Sequence, residues 1–300
     1  MRGPWLAVTA LAASLDAQSP RTHLLVSTGW LARHLDRPDI IVLHVTRDPA
    51  SYRRGHIPGA RLLVWEQFTT TREGIPNELP SPEELTRTFA SFGVSDATRV
   101  ILYGDPPGLV AARAWFTLDY LGYGDQAALL DGGLEKWRAE GRPVCDQEEP
   151  PPSASGRLAP RLRSQALVDF AFVRKLAEAD DPKVLLLDTR SPEDYSGART
   201  VSGSDRRGHI PGAINFYWPA ALTNSQTPVF KPADELRRSF ERLGATPDRR
   251  IVTYCGSGVQ ASLVYFLARY LGYDAALYDG SMSEWVRNPD APLILGSGPR

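Results

Sequence analysis

Of the two cysteines in this 300-residue chain, one stands where a thiol can do chemistry. The stretch Arg250-Ile251-Val252-Thr253-Tyr254-Cys255-Gly256-Ser257-Gly258-Val259-Gln260-Ala261 reads as a buried strand that runs into a glycine-bearing loop and then opens a helix. A thiol at such a junction is met by backbone N–H groups and by the positive end of a helix dipole. Those surroundings favour the thiolate, which is the nucleophilic form. Gly256 and Gly258 tolerate positive φ, so the backbone can wrap around the sulfur. Ser257 adds a hydroxyl able to donate to a substrate or to the sulfur. A cysteine serving only as a small core hydrophobe would have no use for two glycines and a serine behind it. Cys145, in contrast, lies in a charged, proline-rich stretch and reads as incidental.

Composition narrows the remaining chemistry. Two cysteines cannot build a disulfide framework, and no cluster has zinc-ligand spacing, so neither a metal nor an organic cofactor is implied. A formal net charge of -1 without a long basic run gives no reason to expect nucleic-acid binding. At the N-terminus, Arg2 precedes the apolar run from Pro4 to Ala13, and small residues follow. This layout matches a secretory signal peptide spanning residues 1–17, and the run is too short to cross a bilayer. Cleavage after Ser14, with Ala12 at −3, fits better than cleavage after Ala17, where Leu15 takes that position. The expectation is a periplasmic or secreted protein, with a cytoplasmic one as the alternative. In an oxidising compartment the loop thiol would need a reductant or a bound sulfur to protect it.

The elements that must position Cys255 occur twice. Ile40 to Arg47 matches Val184 to Arg190, and Gly55-His56-Ile57-Pro58-Gly59-Ala60 recurs as Gly208-His209-Ile210-Pro211-Gly212-Ala213. Leu121-Gly122-Tyr123 recurs at 271–273, and Asp131-Gly132 with Trp137 recurs as Asp279-Gly280 with Trp285. The register drifts by only a few residues, so the chain is a duplicated domain. Each copy alternates short apolar runs with amphipathic helical patterns, which predicts an α/β fold with a mostly parallel sheet flanked by helices. The first domain is expected over 24–145, a polar, proline-rich linker over 146–165 and the second domain over 166–300.

Within the first copy, Ser81-Pro82-Glu83-Glu84 reads as a capped helix start, Arg99 to Tyr103 as a strand and Val110 to Leu121 as a helix. In the second, Ala233 to Leu243 and Ala261 to Leu271 are expected helices flanking the strand Arg250–Tyr254. The first copy has Gly104 at the position of Cys255, followed by Pro106 and Pro107, which remove two N–H donors. That half is therefore expected to be catalytically silent and to wall the site. Phosphatases that use a cysteine close their phosphate loop with an arginine six positions later. Here that position is Ala261, and the loop lacks a bidentate clamp.

Taken together, the two Gly-His-Ile-Pro-Gly-Ala segments, the Asp188-Thr189-Arg190-Ser191 step, the Cys255 loop and the Asp-Gly endings with tryptophan resemble the tandem rhodanese family. These are the thiosulfate and 3-mercaptopyruvate sulfurtransferases, and the resemblance covers nearly the whole chain after residue 24. It implies two rhodanese-like domains with the second one active. It also implies ping-pong transfer of a sulfane sulfur through a persulfide on Cys255. The donor would be a small anion, and the acceptor cyanide or a thiol such as thioredoxin or glutathione. The loop from Gly256 through Ser257, Gly258 and Val259 to Gln260 would bind the sulfur and substrate. Arg190 is placed either in substrate contact or in a structural ion pair, Asp188 behind the site, and His56 either at the domain interface or, since both copies have it, as the cap of its own turn. A non-catalytic sulfur-binding or interaction module is the alternative reading; a cysteine phosphatase is a weaker one.

Two details bear on the donor. Cys-Gly-Ser-Gly-Val-Gln is nearer the Cys-Gly-Ser-Gly-Val-Thr of the mercaptopyruvate type than the basic loops of the thiosulfate type, departing at Gln260. The mercaptopyruvate type has an arginine four residues after Arg190, however, and here Asp194 stands there, a charge that repels an anion. The second copy also carries about ten extra residues, Ala198 to Arg207, in which Arg199, Arg206 and Arg207 are candidates for the missing cation. The donor stays open on sequence.

Overall fold

Apolar runs without alternation, such as Ile40–Thr46 and Val184–Asp188, belong in parallel strands covered on both faces, and the computed structural model places them there. It describes residues 19–152, 155–179, 181–223, 227 and 229–299; the segment read as a signal peptide, 1–17, lies outside the described residues. In the first half the elements are β1 (Leu25–Ser27), α1 (Thr28–Ala32), β2 (Ile40–Thr46), α2 (Pro49–Arg53), β3 (Ala60–Val64), β4 (Thr70–Arg72), β5 (Ile75–Glu78), α3 (Pro82–Ser91), β6 (Arg99–Gly104), α4 (Leu109–Tyr120), β7 (Ala127–Asp131) and α5 (Gly133–Ala139). In the second they are β8 (Leu167–Val168), α6 (Phe170–Glu178), β9 (Val184–Asp188), α7 (Pro192–Ser196), β10 (Ile214–Asn215), α8 (Ala233–Arg242), β11 (Arg250–Tyr254), α9 (Val259–Tyr270), β12 (Ala275–Tyr278) and α10 (Ser281–Trp285).

The duplication is visible in the topology. The first sheet runs β1-β7-β6-β2-β3 and the second β10-β9-β11-β12-β8, the same order read from opposite edges. Every strand pair in both five-stranded sheets is parallel, while the β4–β5 hairpin is antiparallel. The expected helix start at Ser81 is a capping box, with Glu84 N–H donating to the Ser81 hydroxyl at 3.2 Å and the Ser81 N–H donating to the Glu84 carboxylate at 2.9 Å. α9 starts at Val259, two residues before the expected Ala261, because Gly258 in the left-handed region already turns the chain into the helix.

Helices α4 and α9 are buried along almost their whole lengths, since each lies between its own sheet and the other helix. Trp115 meets Phe266 edge-on at 4.9 Å, and Phe116 meets Tyr265 the same way at 4.9 Å. The Tyr265 hydroxyl donates to Asp119 at 2.5 Å, and Arg163 and Arg269 bring charge to the same carboxylate at 3.5 and 3.4 Å. One apolar core therefore runs through both halves. The described residues of the stretch read as a linker are packed rather than free. Gly156 N–H donates to the Ala90 carbonyl, and a Cβ at Gly156 would stand 1.8 Å from the Val94 carbonyl. Arg161 and Arg163 N–H groups then bond the carbonyls of Leu121 and Tyr120, because these helix-end acceptors have no intrahelical partner.

A shared core predicts that the two halves unfold together. Thermal or urea denaturation should give a single transition, and Trp115→Ala should destabilise the whole chain by about 3–5 kcal/mol. Two resolved transitions in the wild type would contradict it.

Candidate active site

Strands β9 and β11 are neighbours, with Tyr254 in register with Asp188, and the chain leaves them toward opposite edges of the sheet. Such a switch point opens a crevice beyond the carboxyl ends of the strands. Cys255 is the first residue after β11 and Arg190 the second after β9, and both line a cleft of about 900 Å³ between the two halves. The loop's polar groups are sorted. The carbonyl of Cys255 accepts from Met282 N–H at 3.0 Å, and that of Gly256 from the N–H and hydroxyl of Ser283 at 2.8 Å each. The N–H groups of Gly256, Ser257, Val259 and Gln260 have no hydrogen-bond partner among the described residues. With its acceptors bound to α10 and its donors free at the mouth of a helix, the loop is an anion nest beside a thiol.

Ser281 fixes the shape of that nest. Its hydroxyl accepts from the N–H groups of Cys255 and Gly258, at 3.1 Å each, and donates to the Tyr278 carbonyl at 2.8 Å. The serine sits at φ +51°, where the first half has Gly133 at φ +54°. A side chain in that region is strained by roughly 1–3 kcal/mol, and here it persists because it satisfies two buried donors. Gly258 must be glycine for the converse reason: at φ +78° a Cβ would stand 2.5 Å from the Asp279 carboxylate.

The first half supplies residues that sequence reasoning missed. Asn77, in the left-handed region at the end of the β4–β5 hairpin, donates from Nδ2 to the Ser257 hydroxyl at 2.8 Å. Its carbonyl accepts from Arg113 at 2.5 Å, and Arg113 also grips both carboxylate oxygens of Asp279. Arg287 reaches back from the end of α10 to the carbonyls of Glu73 and Gly74, at 2.6 and 2.9 Å. Arg47 stacks over Trp65 at 4.0 Å and lines the cleft without a hydrogen bond or ion pair among the described residues. No local spacing marks Asn77, Arg113, Arg47 or Arg287. The readable signal was the Gly133-to-Ser281 difference between the copies.

Among the residues expected at the site, Gly256, Ser257, Val259 and Gln260 line the cleft with Cys255, and Gly258 supports them from behind. Arg190 is buried in a pair with Asp188, donating from Nε at 2.9 Å and from Nη2 at 2.5 Å, and Nη2 also meets the Gly208 carbonyl. Burial opposes the guanidinium charge, but the Asp188 carboxylate outweighs it and raises the Arg190 pKa above its ordinary value. Nη1 makes no hydrogen bond among the described residues, so one edge of this fixed cation is left for the cleft. Arg190 thus makes the ion pair with Asp188 and also lines the cleft.

Three expectations need correction. Asp194 lines the cleft, but it is paired with Arg199 at 3.1 Å and accepts from the Ser191 hydroxyl, so its repulsion is offset. Arg199 is occupied by that pair, Arg206 is spread over the carbonyls of Val286, Asn288 and Ala291, and neither they nor Arg207 line the cleft. The insertion lends backbone and small side chains, Thr200 to Gly203, while the other half supplies Arg47, which has no ion pair among the described residues. His56 is fully buried under its own domain's turn and does not line the cleft. The first half differs at the position of Cys255 by more than a missing thiol. A Cβ at Gly104 would stand 2.6 Å from the Val45 carbonyl and 2.7 Å from the Val110 side chain, so that position has no room for a cysteine.

The family model for the rhodanese-like domain matches twice, over residues 27–140 and 173–288. The chain belongs to the rhodanese family, in the tandem form of its sulfurtransferases. It is 36% identical to the sulfur carrier protein TtuD of Thermus thermophilus, over 91% of this chain and 97% of that one. It is 33% identical to a thiosulfate sulfurtransferase of Azotobacter vinelandii, over 91% and 97%. It is 34% identical to a probable 3-mercaptopyruvate sulfurtransferase of Pseudomonas aeruginosa, over 91% and 98%. Among solved structures, YnjE superposes with a TM-score of 0.81 at 26% identity, over 93% of this chain and 70% of that one.

Two outcomes test this geometry. Ser281→Ala leaves the buried N–H groups of Cys255 and Gly258 unpaired, at about 1–3 kcal/mol each. It should lower kcat for sulfur transfer by roughly 10–100-fold, as loss of an orienting partner does. Wild-type kcat in a folded Ser281→Ala variant would remove Ser281 from the site. Behind the loop, burial lifts the Glu78 carboxyl to about 7, with Asp279 adding to the effect and Arg113 opposing it. The folded protein then holds a proton that the unfolded chain releases near the ordinary glutamate value, so Glu78 stabilises below that value and loses this contribution as pH rises through about 7. Glu78→Gln should flatten the fall in Tm between about pH 5 and 8, measured against wild type; identical slopes would count against it.

Proposed function

We propose that the protein moves a sulfane sulfur from a small anionic donor to a thiol through a persulfide on Cys255. The observation that carries this reading is the sorted loop: a cleft-facing thiol beside four unpaired N–H groups at the start of α9, with no phosphate-clamping arginine at Ala261. In the first half-reaction the Cys255 thiolate attacks the donor's outer sulfur. With thiosulfate the S–S bond breaks and sulfite leaves with the electron pair. With 3-mercaptopyruvate the C–S bond breaks, and the carbon fragment takes up a proton to become pyruvate. The persulfide anion then lies in the nest, held by the N–H groups of Gly256 to Gln260 and, on the donor side, by the Ser257 hydroxyl. An acceptor thiolate, such as that of glutathione or thioredoxin, attacks the outer sulfur and releases the Cys255 thiolate; cyanide would leave as thiocyanate.

Thiosulfate and 3-mercaptopyruvate are both compatible with the cations at hand. Arg190 Nη1 faces the donor's anionic end from the same half, and Arg47 from across the cleft. Relatives described as a thiosulfate sulfurtransferase and as a probable 3-mercaptopyruvate sulfurtransferase support sulfur transfer and do not separate the donors. For its setting we propose export, on the N-terminal segment of residues 1–17, with N-terminal sequencing of the natural product as the check.

Cys255→Ala should abolish transfer from both donors, and wild-type protein incubated with the productive donor should gain about 32 Da, one sulfur atom, reversed by excess thiol. Retained transfer in Cys255→Ala would sink the mechanism. kcat/KM for the two donors on one preparation ranks them. Arg47→Ala should lower kcat/KM for the better donor by roughly tenfold, mainly through KM.

A further inference from the structure

The silent half carries a second set of ligating side chains, none of which lines the cleft. Its Gly55-His56-Ile57-Pro58-Gly59-Ala60 turn is crossed by the tail of the same domain, and His56 and Cys145 exchange both backbone hydrogen bonds at 2.8 Å. The active half repeats the crossing. There His209 pairs with Ile294 at 3.0 and 2.9 Å, and Gly212 N–H donates to the Pro299 carbonyl at 2.7 Å. In the silent half the equivalent donor, Gly59 N–H, meets the Glu149 carboxylate at 2.8 Å. Where the active half places an isoleucine and a backbone carbonyl, the silent half places a thiol and a carboxylate.

Those two groups converge on a histidine prepared to receive a metal. A ring nitrogen of His56, the Cys145 sulfur and a Glu149 carboxylate oxygen lie within 4.8 Å of one another, the one such group among the described residues. His56 is fully buried, its ring stacked on Tyr52 at 3.7 Å and its Nδ1 donating to the Tyr52 carbonyl at 2.9 Å. That leaves Nε2 as the lone-pair nitrogen, and it is buried with no partner among the described residues. A histidine that donates one ring N–H to a carbonyl and offers the other nitrogen is oriented as metal-ligating histidines are. The tail is anchored on both sides: Gln147 N–H donates to the Cys145 sulfur at 3.4 Å, and Glu149 N–H to the Tyr52 hydroxyl at 3.2 Å.

We propose that His56, Cys145 and Glu149 form a Zn²⁺ site in the silent domain. Nitrogen, thiolate and carboxylate together suit this ion, with a fourth position open to water. Bonds of about 2.0–2.3 Å require the three donors to draw in by roughly an ångström; Cys145 and Glu149, both only half-buried on the tail, can make that movement. Binding would deprotonate the thiol and clamp the domain's tail to its turn.

The test uses the full chain, stripped with a chelator and titrated with Zn²⁺ by calorimetry, with Co²⁺ as the optical probe. One equivalent of Zn²⁺ should bind, and Co²⁺ should give a thiolate charge-transfer band. Cys145→Ser should erase the band and weaken Zn²⁺ by at least about tenfold, while sulfur transfer stays at the wild-type level. Glu149→Gln should weaken Zn²⁺ as well, and carries the test if Cys145→Ser fails to fold. Cys255→Ser should leave both signals unchanged. No binding by wild type, or a band lost with Cys255→Ser and kept in Cys145→Ser, would overturn the site.

Discussion

The buried pair between Arg113 and Asp279 is the contact on which the active centre depends. Arg113 belongs to α4 of the first half, is wholly buried, and grips both oxygens of a carboxylate in the second half. Removing one partner of such a pair strands a charge and typically costs about 3–5 kcal/mol, so the two halves are bound in one relative position. The same guanidinium holds the Asn77 carbonyl, Asn77 holds the Ser257 hydroxyl, and Asp279 backs Gly258 too closely for any side chain there. One interaction thus sets the domain interface, a first-domain contact to the Cys255 loop and the backbone of that loop.

Duplication gives this arrangement its economy. Both halves keep the same strand order and the same glycine-led helix after the central strand, but the second has Cys255 where the first has Gly104. In the other, Gly104 is boxed in by Val45 and Val110, and α4 is used as a wall whose aromatic face packs on α9. The first half carries other groups, the cation Arg47 and the His56–Cys145–Glu149 cluster among them.

Backbone in rare conformations collects at the site. Ser281 and Asn77 are two of the three non-glycine residues at positive φ among the described residues, and each holds the Cys255 loop through its side chain. Strain of this kind persists where surrounding contacts over-determine it. It buries the loop's carbonyl partners in α10 and leaves its N–H groups for an anion.

Much of this was legible in the chain itself. The repeat, the parallel α/β class, the capping box at Ser81, the strand ending at Tyr254 and the loop that opens with Cys255 all follow from short-range pattern, because period, caps and turns depend on neighbours in sequence. The family follows from the same motifs. Contacts between residues far apart did not show. Asn77 on Ser257, Arg113 on Asp279, Arg47 in the cleft, the pairing of Asp194 with Arg199 and the approach of Cys145 to His56 are products of packing. Sequence alone picked out the thiol that follows the central strand and the loop that surrounds it. Only the tertiary structure decided which charges face that thiol, since a charge's partner is set by where two distant elements meet.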